Sequence, residues 1–129
     1  MEDNLTKNLG YDRFAELVGM KLIMVSHGHA IAQMEITEKH MNGVGIVQGG
    51  VIFTLADYAF AAASNTADTI TLGLQTSISF FRTPQGKCLT AEAKEITANR
   101  KISGYSVDVM DENNDVIAQM TAVGYMKKR

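Results

Sequence analysis

Tryptophan is absent from this chain, and cysteine and proline occur once each, as Cys88 and Pro84. A lone cysteine excludes an intrachain disulfide, so the core must hold the fold, and it suits a reducing, cytoplasmic setting. One proline in 129 residues leaves no proline-rich linker, and no repeat or low-complexity tract divides the chain. A single domain over residues 1–129 follows. An excess of charge is lacking too. The net charge of −2 gives no ground for binding nucleic acid or an anionic membrane. The basic end Lys127-Lys128-Arg129 reads as a solvated terminus. The start, Met1-Glu2-Asp3-Asn4, lacks the basic and apolar regions of a secretion signal. The most apolar stretch, Val44 to Ala63, is interrupted by Gln48, Asp57 and three glycines, too often for a membrane span.

What is present is apolar residue in quantity. A hydrophobic fraction of 46% against 20% charged marks a globular chain, long enough to bury a real core. Tyr11 to Val18 is compatible with a short helix whose Phe14, Leu17 and Val18 share one side. Met20 to Val25 reads as a strand, and Ser26-His27-Gly28-His29 as its turn. Ala30 to Thr37 alternates, with Ala30, Ala32, Met34 and Ile36 on one face, as a half-buried strand does. Glu38 to Gln48 reads as a loop. From Gly49 to about Ser64 nearly every residue is apolar and many are alanine, so length and propensity favour one buried helix. Strands are expected over Gln75–Arg82, Leu89–Ile96, Tyr105–Met110 and Val116–Met126, with Asp111-Glu112-Asn113-Asn114-Asp115 turning the last pair. This order fits an α+β fold in which an antiparallel sheet packs on one helix.

Asp57 stands out inside that helix as the only charged residue between Lys39 and Asp68. Burying an ionised carboxylate without partners costs several kcal/mol or more. Two readings follow: a carboxylate at a helix edge or paired with Arg82 or Arg100, or a catalytic group. A second feature is Gln48-Gly49-Gly50 at the helix start. Free N–H groups there can stabilise developing negative charge, and glycines let a ligand or another backbone approach. The alternative is that the glycines merely start a tightly packed helix. Asp57 lies seven residues past Gly50, near the same face but roughly 10 Å along the axis. One carbonyl cannot touch both groups, so a two-fold dimer with antiparallel helices would be needed to unite them.

At these residues the chain resembles the hotdog-fold thioesterases, specifically the phenylacetate-degradation type of the 4-hydroxybenzoyl-CoA thioesterase superfamily. The run from His40 through Asn42, Gln48-Gly49-Gly50 and Leu55-Ala56-Asp57 is similar to the family's His-x-Asn, His-Gly-Gly and Leu-Ala-Asp pattern. Ser79 to Pro84, Asn99-Arg100-Lys101 and Tyr105-Ser106-Val107 resemble its later strands. The resemblance implies a hotdog fold, a sheet wrapped around the long helix, in a dimer or tetramer. It also implies hydrolysis of an acyl-CoA thioester, with aryl and phenylacetyl groups among the candidate acyl groups, and with no cofactor and no metal. By position, Asp57 would be nucleophile or general base, Gly49 would offer its N–H to the carbonyl, and Asn42 would position water or carboxylate. Gly50 and the cations Arg82, Lys87, Arg100 and Lys101 would meet the substrate, the cations as a rim for CoA phosphates.

The one departure is Gln48 where the family has histidine. Glutamine can hydrogen-bond a carbonyl but does not titrate near neutral pH. The competing reading is therefore an acyl-CoA-binding module with little or no turnover. A hydratase lacks a suitable Asp/His pair. His40 reads as structural, His27 and His29 as turn residues without a third metal ligand, and Cys88 as a strand residue without a basic partner. The eight methionines read as core and pocket filler.

Overall fold

The computed structural model describes residues 4–129; the acidic Met1–Asp3, read above as no secretion signal, lies outside the described residues. After a 3-10 turn at Asn4–Thr6 come α1 (Arg13–Val18), β1 (Met20–Ser26), β2 (His29–Glu35), a second 3-10 turn (Glu38–His40), α2 (Gly49–Ser64), β3 (Thr69–Phe80), β4 (Cys88–Ala98), β5 (Ile102–Met110) and β6 (Val116–Lys128). The six strands form one antiparallel sheet in the order β1-β2-β4-β5-β6-β3. α2 lies across its inner face, chiefly against β2, β4 and β5. This is the expected α+β hotdog arrangement. Among the described residues no helix is long and apolar enough to cross a membrane.

Alternation decides which side of each strand meets the helix. Ala30, Ala32 and Met34 of β2, and Leu89, Ala91 and Ala93 of β4, are fully enclosed. Small side chains there face Ala56, Ala59 and Ala63 of α2, also enclosed, and let helix and sheet come close at interior packing density. Phe60 meets Tyr105 edge to face at 5.3 Å, a favourable aromatic geometry. Gly124 belongs to the same contact. A Cβ there would sit 2.5 Å from Thr71 Cγ2 and 3.1 Å from the Phe60 ring, so any larger residue would have to displace Thr71 of β3 and crowd Phe60.

The two ends of α2 differ. At the C-terminus the carbonyls are taken up. Asn65 Nδ2 donates to Ala61, Thr71 Oγ1 to Ser64, and Tyr105 Oη and the Gly28 N–H both donate to Ala63. That end is anchored by the sheet. The N-terminus opens toward the loop Asn42–Val47 and the end of β3.

Four expectations need correction. α1 begins at Arg13, with Asp12 capping it through the Ala15 N–H at 2.9 Å. Its buried residue is Ala15, while Phe14 and Leu17 are 58% and 75% exposed; a helix this short seats only one residue in the core. β3 starts at Thr69 rather than Gln75, because Thr69 to Gly73 also pair with β6, with a bulge between Gly73 and Gln75. Its Ile70, Leu72, Leu74 and Phe80 are exposed, a long apolar edge with no neighbouring strand on one side among the described residues. α2 is not enclosed all round either: an outward stripe contains Gly50 and Asp57.

Candidate active site

The loop before α2 is built by Asn42. Its Oδ1 accepts the N–H groups of Val44 and Ile46 at 3.0 and 3.2 Å, and its own N–H donates to the Ile46 carbonyl at 2.7 Å. Gly45 takes φ +83° inside this turn, a conformation that favours glycine. His40 supports the loop from beneath. It is buried, and its Nδ1 accepts the Thr37 N–H at 2.9 Å. The ring hydrogen therefore sits on Nε2, which donates to the Val18 carbonyl at 2.7 Å. Both ring nitrogens are engaged within the protein, consistent with a structural role. His29 Nε2 lies 2.6 Å from Glu92 Oε2, away from α2. Among the described residues no group of three His, Cys, Asp or Glu could hold a metal.

Gln48 is the N-cap of α2. Its Oε1 accepts the Gly50 N–H at 2.6 Å, as N-cap oxygens do. Gly50 is thereby engaged, so substrate binding cannot draw on its N–H while the cap is in place. The Gly49 N–H has no protein acceptor among the described residues, and the helix dipole adds positive character there. Gly49 borders a cleft of about 320 Å³ with Asn42, Ile52, Phe80, Phe81 and Arg82. A Cβ at Gly49 would stand 3.4 Å from the Phe80 ring, so the aromatic wall comes right up to the helix start. The cleft brings Asn42, Gly49 and Arg82 together as candidate site residues.

Asp57 lies elsewhere. It sits on the outward face of α2, exposed in the single chain, and makes no ion pair among the described residues. Its expected burial is thus corrected: within one protomer the carboxylate meets solvent. Surrounding protein still removes enough water to raise its pKa above the ordinary value of 3.8, and the charge of Asp12 adds to this. Pairing with Arg82 is excluded here, since Arg82 Nη1 binds Asp115 Oδ2 at 3.1 Å. Eight residues separate Gly49 from Asp57, roughly 12 Å along the axis and 80° around it. Phe53 lies midway on the same stripe.

Arg100 and Lys101 occupy the β4–β5 turn, at the end of the sheet where β3 begins, because Ile102 stands level with Tyr125 and Leu72. Arg82 follows Phe80 at the opposite end, level with Ala118 and Val109. Seven residue steps, roughly 23 Å, separate the levels of Ile102 and Phe80, and the cations lie beyond each. One chain does not gather these cations around one cleft.

Reading the sequence for chemistry overlooked the cleft wall. Phe80, Phe81, Thr83 and Pro84 line it, yet nothing in their alternation separates a cleft wall from an ordinary strand end. The lone proline, three residues after an aromatic pair, was the available signal.

The thioesterase superfamily model matches residues 44–118, which include most of the cleft loop, α2 and β3. The chain belongs to the thioesterase superfamily. Among curated proteins, this thioesterase is 34% identical to a putative esterase of Archaeoglobus fulgidus over 92% of this chain and 75% of that protein. It is 29% identical to the acyl-coenzyme A thioesterase PaaI of Escherichia coli, over 83% and 77% of the two chains. A mutant structure of the phenylacetic acid degradation protein PaaI from Thermus thermophilus superposes with a TM-score of 0.83 at 30% identity, covering 88% of this chain and 98% of that one. The matched segment carries Gln48, Gly49 and Asp57 within one continuous stretch.

Proposed function

We propose that this thioesterase hydrolyses an acyl-CoA to free acid and CoA at sites shared between two copies of the chain. The observation that carries this reading is the separation within α2. The Gly49 N–H opens on an apolar cleft while the basic carboxylate of Asp57 lies roughly 12 Å away, beyond the reach of one reacting carbonyl.

A two-fold axis supplies the missing half. If Asp57 of one copy faces Gly49 of the other, Phe53 is the midpoint and faces its own copy across the axis. Phe80 lies against Gly49, and Phe60 approaches Gly73, so the level of Phe53 falls near Ser77 and Ile78 on β3. Antiparallel pairing of two β3 edges centred there would cover Leu74 to Phe80 and satisfy an edge that otherwise invites uncontrolled association. The same operation moves Arg100 and Lys101 of one copy to the Arg82 end of the other, where CoA phosphates would need cations.

In the shared site the thioester carbonyl oxygen accepts the Gly49 N–H, and the acyl group lies along Ile52, Phe80 and Phe81. Asp57 of the second copy acts in one of two ways. As general base it takes a proton from water while the water oxygen bonds the carbonyl carbon. As nucleophile it bonds that carbon itself and the anhydride is then hydrolysed. In both, negative charge on the carbonyl oxygen is met by the Gly49 N–H, the C–S bond breaks, and the CoA thiolate takes up a proton. The raised pKa makes Asp57 a stronger base than an ordinary aspartate. Asn42, whose Oδ1 is engaged in the loop, has its Nδ2 left to orient water or carboxylate.

Thiol release over short, medium, long and aryl acyl-CoAs tests the reaction. Mixing an Asp57→Ala chain with a chain disrupted at Gly49 tests the sharing. Fully exchanged, half the dimers are mixed, each with one intact site, so about one quarter of wild-type activity should return. No recovery would sink the shared site. The capping orientation of Gln48 favours one alternative, a binding module without turnover, which steady acyl-CoA binding with no thiol release would reveal.

A further inference from the structure

The cleft wall continues from β3 into the connection 81–87. The N–H groups of Phe81 and Arg82 donate to the Ile117 carbonyl at 2.8 and 3.4 Å. Thr83 and Pro84, which also face the cleft, make no backbone N–H bond among the described residues, and proline has none to give. The next anchor is Gln85, whose N–H donates to Asp111 Oδ2 at 2.9 Å. The wall is thus a short span held at both ends, and its far end hangs on one carboxylate.

That carboxylate has two separate tasks. Asp111 is 3% exposed, at the start of the β5–β6 turn. Its Oδ1 accepts the N–H groups of Asn113 and Asp115 at 3.0 and 3.1 Å and builds the turn. Its Oδ2 reaches across to Gln85. Neighbouring bonds reinforce the clamp: the Lys87 N–H donates to Glu112 Oε1 at 2.8 Å, and Asp115 holds the Arg82 guanidinium at 3.1 Å. The N–H groups of Gln85, Asp115 and Asn113, Gln85 foremost, hold the Asp111 carboxyl below its ordinary pKa.

We propose that Asp111 is a positioning residue for the thioesterase site: its Oδ2 fixes the wall Phe81–Pro84 at the height that accepts substrate, and its Oδ1 sets the turn that aims Arg82. This rests on the cleft beside Gly49 being the acyl-CoA site. Asp111 touches no substrate and acts through the wall, so its loss should alter binding more than chemistry.

Asp111→Asn separates the two tasks. An amide oxygen can keep the turn, but the NH2 group then faces the Gln85 N–H, donor against donor. The variant should stay folded, with KM for acyl-CoA raised about tenfold and kcat within about twofold, as expected when a binding wall shifts without displacing the reacting groups. Hydrogen exchange gives a readout independent of turnover. The Gln85 amide should exchange at least about tenfold faster than in wild type, since its opening no longer breaks a charge-assisted bond. Unchanged KM in a folded variant, unchanged exchange at Gln85, or kcat falling in step with kcat/KM would each overturn the proposal. Wild type and Asp57→Ala run alongside report on the underlying reaction. If wild type releases no thiol, the acyl-CoA reading fails, whereas exchange at Gln85 still decides whether the clamp exists.

Discussion

Gln48 Oε1 accepts the Gly50 N–H at 2.6 Å, so this side chain folds back on the helix it precedes. This contact assigns the two glycine N–H groups different tasks: Gly50 completes the cap and Gly49 faces the cleft. Gln48→Ala should lower stability by roughly 1 kcal/mol, the usual loss on removing a cap, read by urea unfolding. Gln48→Glu keeps an acceptor for Gly50 but adds negative charge beside the developing oxyanion. It should unfold no more easily than wild type while kcat falls about tenfold or more. Equal kcat in Gln48→Glu and wild type would show that the oxyanion forms elsewhere.

In the proposed mechanism Asp57 serves the chemistry at a cost in stability. Its folded pKa is raised, so the native state binds more protons than the unfolded chain between the ordinary value and the raised one. Stability from this group therefore falls as pH rises through that window and stays lower above it. Asp57→Asn removes the penalty. At neutral pH it should melt at or above the wild-type temperature, and the difference should vanish below the ordinary carboxylate pKa. Its kcat should drop about 10²- to 10⁴-fold. A destabilised Asp57→Asn protein would mean the carboxylate has a partner in the assembled molecule. Single-turnover hydrolysis in heavy-oxygen water distinguishes the two chemistries, since label enters Asp57 only if it is the nucleophile.

Phe53 lies midway between Gly49 and Asp57 and is expected on the two-fold axis. Phe53→Arg would set two like charges against each other there. Light scattering should show dissociation to the protomer, with thiol release lost in parallel although both Gly49 and Asp57 are present. An associated, inactive Phe53→Arg protein would place the axis elsewhere.

Asp111 gives the opposite pH signature to Asp57. Its pKa is lowered, so its contribution is present above the unfolded value and lost as pH falls through the folded one. Asp111→Ala should cost about 2 to 3 kcal/mol at neutral pH, as hydrogen bonds to a charged, buried group do. The gap to wild type should close only in acid, below the ordinary aspartate range. Denaturant unfolding at neutral and acid pH measures it.

Much of the fold was legible because its signals are local. Alternation in Ala30 to Thr37 and the alanine-rich run Gly49 to Ser64 each fix an element and its buried side. The strand Thr69 to Gly73 was missed because a bulge breaks its period and its apolar residues point outward, where an isolated chain gives no reason for them. Phe14 and Leu17 misled for a related reason. Apolar spacing on a six-residue helix says that a face exists, not what covers it.

The sequence alone determined that a carboxylate sits two helical turns from a glycine pair, and that spacing already required a second copy for any joint chemistry, since helix rise is fixed by backbone geometry. The tertiary structure decided what no spacing encodes. It turned Gln48 into a cap, left the Gly49 N–H open, set Phe80 against it, and hung the facing wall on Asp111. Those contacts join residues far apart in the chain, and only packing of α2 against β2, β4 and β5 brings their elements to one end of the sheet.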